Sequence, residues 1–142
     1  MKHFVRQGSM SINIMKMEKK LKKELDEERY QHTLGVMFTA ASLAMCYGAD
    51  IEKAQVAGLL HDCAREFPND ALPREAERRG IPIGPLERAM PLLLHAYVGA
   101  HLVRERYGVD DAGISQAIWR HTVGGPAMTA LDKIIYFADM VE

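Results

Sequence analysis

The chain has 142 residues, 48% of them hydrophobic, which is enough to close one core and lies within the size of one domain. Eighteen Lys and Arg against 19 Asp and Glu leave a formal charge of -1, so there is no electrostatic footprint for duplex nucleic acid or an anionic membrane. The two cysteines, Cys46 and Cys63, form no CxxC pair and no disulfide framework, and both are expected as small core residues in a reducing compartment.

No apolar run approaches the roughly 20 residues of a membrane span, and the N-terminus lacks the apolar stretch of a signal peptide. The expectation is a cytoplasmic protein with no membrane partner. MKHFVRQGSM has no periodicity. Residues 1–15 are therefore set aside as a disordered segment or a vector-derived scar.

From Lys16 to Glu28, blocks of alternating charge carry Met17, Leu21 and Leu25 at every fourth position, which predicts an amphipathic helix with a solvated charged face. Between Arg29 and Tyr47, the positions Leu34, Met37, Phe38, Ala41, Leu43, Ala44 and Met45 form a broad stripe, predicting a largely buried helix that stops at Gly48. Asp50 caps the next helix, which runs through Ala54, Ala57, Leu60 and Cys63 until Phe67-Pro68 ends it. That places His61 and Asp62 on its last turns.

Asn69 to Arg79 predicts a short polar helix, Gly80 to Pro85 a loop, and Leu86–Leu94 and Ala96–Tyr107 two further helices interrupted near Pro91. Asp111 opens a helix through Ile114, Ala117, Ile118 and Trp119 that ends at His121-Thr122-Val123-Gly124-Gly125-Pro126. An apolar helix follows from Met128 to Glu142. No strand alternation is present, so the fold class is all-α.

Four of the six histidines, His32, His61, His95 and His121, fall at helix ends or within apolar helix faces; His3 and His101 do not. Asp139 interrupts the apolar stretch IIYFADMV, and an ionised carboxylate in such a place needs a partner or a metal. Asp132, two turns earlier on the same face, competes with it, but Thr129 and Lys133 allow Asp132 a solvated or capping role. Imidazole and carboxylate donors without thiolate suit iron, manganese, zinc, nickel or magnesium, and point to a catalytic rather than a structural centre.

Three cations stand near these residues. Arg65 lies one turn beyond His61-Asp62 and is a candidate phosphate contact, its alternative being an exposed helix-end charge. Lys133 and Arg29 are further candidate substrate contacts; Arg29 is three residues before His32 and alternatively pairs with Asp26.

A histidine, then His-Asp, then a distal aspartate, all on helices, resembles the HD superfamily of metal-dependent phosphohydrolases. RYQHTLGV, EKAQVAGLLHDCAR, HTVGGPAMTALDKIIYFAD and the ending ADMVE resemble its YqeK-type symmetrical bis(5'-nucleosyl)-tetraphosphatases. The resemblance implies an HD-domain helical bundle over residues 16–142 that splits diadenosine tetraphosphate into two ADP molecules. It assigns metal binding to His32, His61, Asp62 and Asp139, catalysis to His61 and Asp62, and the phosphate site to His95 and His121. A second metal at His95 and His121 is the other role open to them.

The cofactor expected is a divalent or trivalent transition metal, iron or manganese ahead of magnesium, nickel and zinc. The partners expected are a nucleotide substrate and a second copy of the chain in a homodimer. The family pattern continues beyond the position of Glu142 with further helices, which are expected to be missing here. Another HD-type nucleotidase or phosphodiesterase, and a catalytically silent metal- or nucleotide-binding module, are the competing readings.

Overall fold

The structure is a computed structural model that describes the backbone from Lys2 to Glu142 and the side chains from Asn13 onward. Up to residue 12, the side chains of the set-aside segment, His3 included, lie outside the described residues. Eight α-helices are present, α1 (Lys2–Glu24), α2 (Glu27–Tyr47), α3 (Ile51–Leu60), α4 (Leu72–Arg78), α5 (Pro85–Ala89), α6 (Leu94–Tyr107), α7 (Ala112–Trp119) and α8 (Ala130–Val141), with no strand among the described residues. The all-α expectation holds. No helix among the described residues is long and apolar enough to cross a membrane.

Met17, Leu21 and Leu25 of the first amphipathic pattern are all buried, as their spacing requires. The helix does not continue to Glu28, however. Asp26 takes extended backbone and its Oδ1 accepts from the Arg29 N–H at 2.8 Å, so it caps a new helix instead of continuing the old one. Gly48 closes α2 in the left-handed region at φ 69°, and Asp50 and Asp111 cap α3 and α7 through the N–H groups of Lys53 and Ile114.

The α2 stripe is only half buried. Val36, Met37, Ala40 and Ala44 face the core, whereas Phe38 and Met45 are exposed on the outer face. The near-continuous apolar run hid which side of the helix turns inwards.

α3 sits at the centre, packed against α2 with α7 and α8 on its other sides. Six of its residues, Ala54, Val56, Ala57, Gly58, Leu59 and Leu60, are buried. Each fully buried leucine of this kind contributes about 1.5–3 kcal/mol. Gly58 permits a close approach to α2, because a Cβ there would lie 3.0 Å from the Met37 Cα and 3.1 Å from the Val36 oxygen. This approach brings the end of α3 beside the second turn of α2, where His32 stands.

Pro91 does break the chain, heading a 3-10 turn at Pro91–Leu93 that feeds α6. Asn69–Ala71 is likewise a 3-10 turn rather than the start of an α-helix, and α4 follows it. The other departure occurs where the chemistry lies. The third helix stops at Leu60, His61 is its C-cap, and Cys63–Glu66 tightens into a 3-10 turn before Phe67-Pro68.

Candidate metal centre

Adjacent helical residues point about 100° apart, so an unbroken helix would have aimed His61 and Asp62 in different directions. The break resolves this. Asp62 adopts φ -107° and ψ 17°, between helix and strand, which turns its carboxylate towards the same centre as the His61 ring. His61 Nε2 then lies 3.3 Å from Asp62 Oδ2 and 3.3 Å from Asp139 Oδ1.

The other members arrive from four separate elements. His32, on the first turns of α2, places Nε2 at 2.8 Å from Asp139 Oδ1 and 3.9 Å from Asp62 Oδ2. His95, at the start of α6, and His121, just past α7, approach the opposite oxygen, Asp62 Oδ1, at 3.2 and 3.4 Å. Asp62 is thus shared by two sets of side chains that could hold a metal ion, His32–His61–Asp62–Asp139 and Asp62–His95–His121, and the donor atoms within each set lie within 4.8 Å of one another.

Three of the rings are held in one orientation by the same device. Nδ1 of His61, His95 and His121 each faces the carbonyl three residues earlier, that of Gly58, Leu92 and Ile118. A carbonyl only accepts, so each Nδ1 carries the proton and donates it. The Nε2 atoms are left to face the centre, the arrangement of metal-ligating histidines whose second nitrogen is anchored to the protein.

Two observations show that a metal fits. His61 Nε2 is buried and aligned for a hydrogen bond with neither neighbouring carboxylate. His95 Nε2 and His121 Nε2 face each other at 3.1 Å. With both Nδ1 atoms protonated these are two lone pairs, a repulsive pairing that a cation or a shared proton relieves.

The electrostatics of the two sets differ. Burial pulls the His61 pKa down, but the Asp62 and Asp139 carboxylates outweigh it and push it up to about 10. Burial raises the Asp139 pKa and His61 outweighs that in turn, holding it at about 2. Burial likewise opposes ionisation of Asp62, yet the charge of the adjacent His61 keeps its pKa well below the usual carboxylate value. His121 goes the other way, its pKa lowered by burial, so it stays neutral.

Arg29 reaches this centre. Its backbone N–H serves the Asp26 cap, but its guanidinium donates from Nη1 to Asp62 Oδ2 at 3.1 Å rather than pairing with Asp26. Arg65 is half buried on the 3-10 turn and belongs to none of the centre's ion pairs. Lys133 is not brought to the centre. It is six residues before Asp139, well off its face of α8, and lines an outer groove with Leu43, Tyr47, Ile134 and Phe137.

Asp132 is neither solvated nor a ligand. It is buried and completes the cap of α8, accepting from the Thr129 N–H, and it also pairs with Arg120. Sequence patterns gave no sign of that pairing, nor of the three carbonyl anchors. The position of each histidine close to a helix end was the one available hint. Of the two cysteines, Cys63 is buried as expected and burial pushes its thiol pKa up; Cys46 is exposed.

A helical bundle with paired histidine and carboxylate sets around one shared aspartate defines a class, and the comparisons agree on which. The chain belongs to the HD domain family, whose family model matches residues 29–142.

Over 122 residues it is 45% identical to the symmetrical bis(5'-nucleosyl)-tetraphosphatase of Bacillus subtilis and 44% identical to that of Halalkalibacterium halodurans. Each alignment covers 86% of this chain and 65% of the relative, so the chain spans about two thirds of the length of these relatives. A crystal structure from Clostridium acetobutylicum, described as a predicted HD superfamily hydrolase involved in NAD metabolism, matches with a TM-score of 0.86 at 42% identity. That match covers 89% of this chain and 67% of that one.

Proposed function

We propose that the chain is the catalytic HD domain of a metal-dependent phosphohydrolase that splits dinucleoside tetraphosphates symmetrically into two nucleoside diphosphates. The observation that carries this reading is the double ligand set hinged on Asp62, found in a chain 45% identical to a relative named for that reaction. His32, His61, Asp62 and Asp139 hold the first ion, and Asp62, His95 and His121 form a second pocket for an ion or for phosphate oxygens. Mixed nitrogen and oxygen donors without thiolate suit iron, manganese, zinc, nickel or magnesium, and iron or manganese is the ion proposed here.

When bound, such an ion neutralises phosphate oxygens and lowers the pKa of water. The chain's own groups do the rest. His61 Nε2 and the two carboxylates fix where a cation sits, and the carbonyl anchors prevent the imidazoles from turning away. Arg29, half buried at 3.1 Å from Asp62, is placed to share its guanidinium with a phosphate oxygen. Arg65, on the 3-10 turn after Asp62, is a further candidate phosphate contact.

In the reaction, the oxygen of water bonds to one of the two central phosphorus atoms and the bond from that atom to the bridging oxygen breaks. The departing nucleoside diphosphate carries the electron pair away as an oxyanion, and the water proton passes to solvent. No serine or cysteine nucleophile is required; the thiol of Cys63 is buried and protonated. The reading places the protein in the cytoplasm with its nucleotide substrate.

Product analysis tests the proposal. Diadenosine tetraphosphate incubated with metal-loaded protein is expected to give ADP alone. AMP plus ATP, or turnover of mononucleotides only, would replace this reading with that of another HD-type nucleotidase or phosphodiesterase.

A further inference from the structure

Asp132 has no place in either ligand set, yet it is the most deeply buried carboxylate described, with no exposed surface. Its Oδ2 accepts from Gln116 Nε2 at 3.0 Å, Arg120 Nη1 at 3.1 Å and the Thr129 N–H at 3.0 Å, while its own N–H donates to Thr129 Oγ1 at 3.1 Å. A helix cap explains the two contacts with Thr129. It does not explain the two that cross to α7.

A neutral asparagine would cap α8 as well, so the buried charge is matched to Arg120 rather than to the helix end. Arg120 is in turn fixed on its other side. Its carbonyl accepts from the Gly124 N–H at 3.0 Å, and its side chain lies over Gly125, where an added Cβ would stand 3.0 Å from Arg120 Nε. The next residue in the chain is His121, whose ring is anchored to Ile118 and aimed at Asp62.

We propose that Asp132 is a positioning residue of the metal centre. Through its ion pair with Arg120 it fixes the end of α7 against α8, and so holds His121 Nε2 in place beside His95 and Asp62 Oδ1. The same helix delivers Asp139 seven residues later, two turns on, so one buried carboxylate ties together the helices that serve the two halves of the centre. This inference rests on the metal centre and is independent of the substrate chosen above.

Cobalt(II) titrated into the metal-free full chain, with the visible bands recorded, tests it, because those bands report ligand geometry. His121→Ala identifies the bands that depend on His121. Asp132→Asn, which retains a carbonyl for the cap and loses the charge, is expected to weaken cobalt affinity in those bands about 10- to 100-fold. Thr129→Ala, which weakens the cap alone, is expected to lower the melting temperature and leave the bands unchanged. Should Asp132→Asn fail to fold, Arg120→Gln at its partly exposed position carries the same expectation.

Wild-type bands and affinity in the folded charge variant would overturn the proposal. So would an equal shift in Thr129→Ala, or wild-type bands that ignore His121→Ala. The expected cobalt result with no tetraphosphate hydrolysis would count against the substrate and leave the positioning role standing.

Discussion

The two sides of Asp62 are built from the same donors and behave differently. On one side, His32 and Asp139 keep 18% and 28% of their side-chain surface exposed, Arg29 stands close by, and His61 is held as a cation between two carboxylates. On the other, His95 and His121 are buried, and burial keeps His121 neutral with its lone pair facing inwards. Charge and solvent access make the first side a site that exchanges protons for metal. The second offers the His121 lone pair with no deprotonation of that ring.

The hinge is the strongest test of this contrast. Asp62→Ala takes an oxygen from both ligand sets at once and is expected to abolish binding at both, with hydrolysis reduced by on the order of a thousandfold or more while the helical spectrum persists. Asp139→Ala and His121→Ala are each expected to remove one side only. Metal analysis of the three purified variants separates the outcomes, and equal losses in all three would show that the two sides are a single site.

A second test uses pH. Metal must displace the His61 proton, so loading at neutral pH is expected to release a proton, and affinity is expected to fall about tenfold for each unit below pH 10 on the first side alone. In the metal-free protein the sign is fixed by the raised pKa. His61 stabilises the fold fully below its ordinary value near 6.5, and that contribution is lost as pH rises towards about 10. Asp139, held at about 2, stabilises the fold above its ordinary 3.8, and this is lost as pH falls towards 2. Melting temperatures of metal-free protein between pH 6 and 10 should therefore decline, and His61→Ala should flatten the curve.

Gly58→Ala acts on the first side through packing. The added methyl meets the Met37 backbone, which has no flexible end to yield, and forcing α2 from α3 is expected to cost about 1–3 kcal/mol in urea unfolding. Because the Gly58 carbonyl anchors His61, metal affinity on the first side should fall with stability, and affinity at His95 and His121 should not.

Much of this arrangement was legible in the sequence, for identifiable reasons. Caps declare themselves through local chemistry, so Gly48, Asp50 and Asp111 marked their helix ends correctly. His32, His61, His95, His121 and Asp139 stood out as polar groups at helix ends or in apolar surroundings; the grouping of His32, His61, Asp62 and Asp139 was what the resemblance to the HD superfamily implied, and the structure brings all four together.

What remained hidden depends on direction and distance. The turn that aims Asp62 is a backbone event with no residue signature, and α2 shows its inward face only once α3 is packed against it. Arg29 and Asp62 are 33 residues apart and Arg120 and Asp132 are on different helices, so no periodicity links them. Lys133 shows the converse, since closeness in sequence to Asp139 does not bring it to the centre once the helical twist is applied.

The smallest expected effect lies on the buried side, in the loop that leads from His121 to α8. Ala127 there is the single non-glycine residue with positive φ among those described, at 50°, a conformation that costs an L-residue with a Cβ roughly 1–2 kcal/mol. Glycine relieves that strain but loses more entropy on folding, so Ala127→Gly is expected to stabilise the protein by about 1 kcal/mol or less. The residue is exposed and belongs to neither ligand set. If the Asp132–Arg120 pair sets the shape of this loop, relaxing Ala127 should leave the cobalt bands assigned to His121 unchanged. A shift in those bands would mean that the strained turn itself, rather than the ion pair, holds His121 in register, and the contrast between the two sides would then rest on the loop backbone.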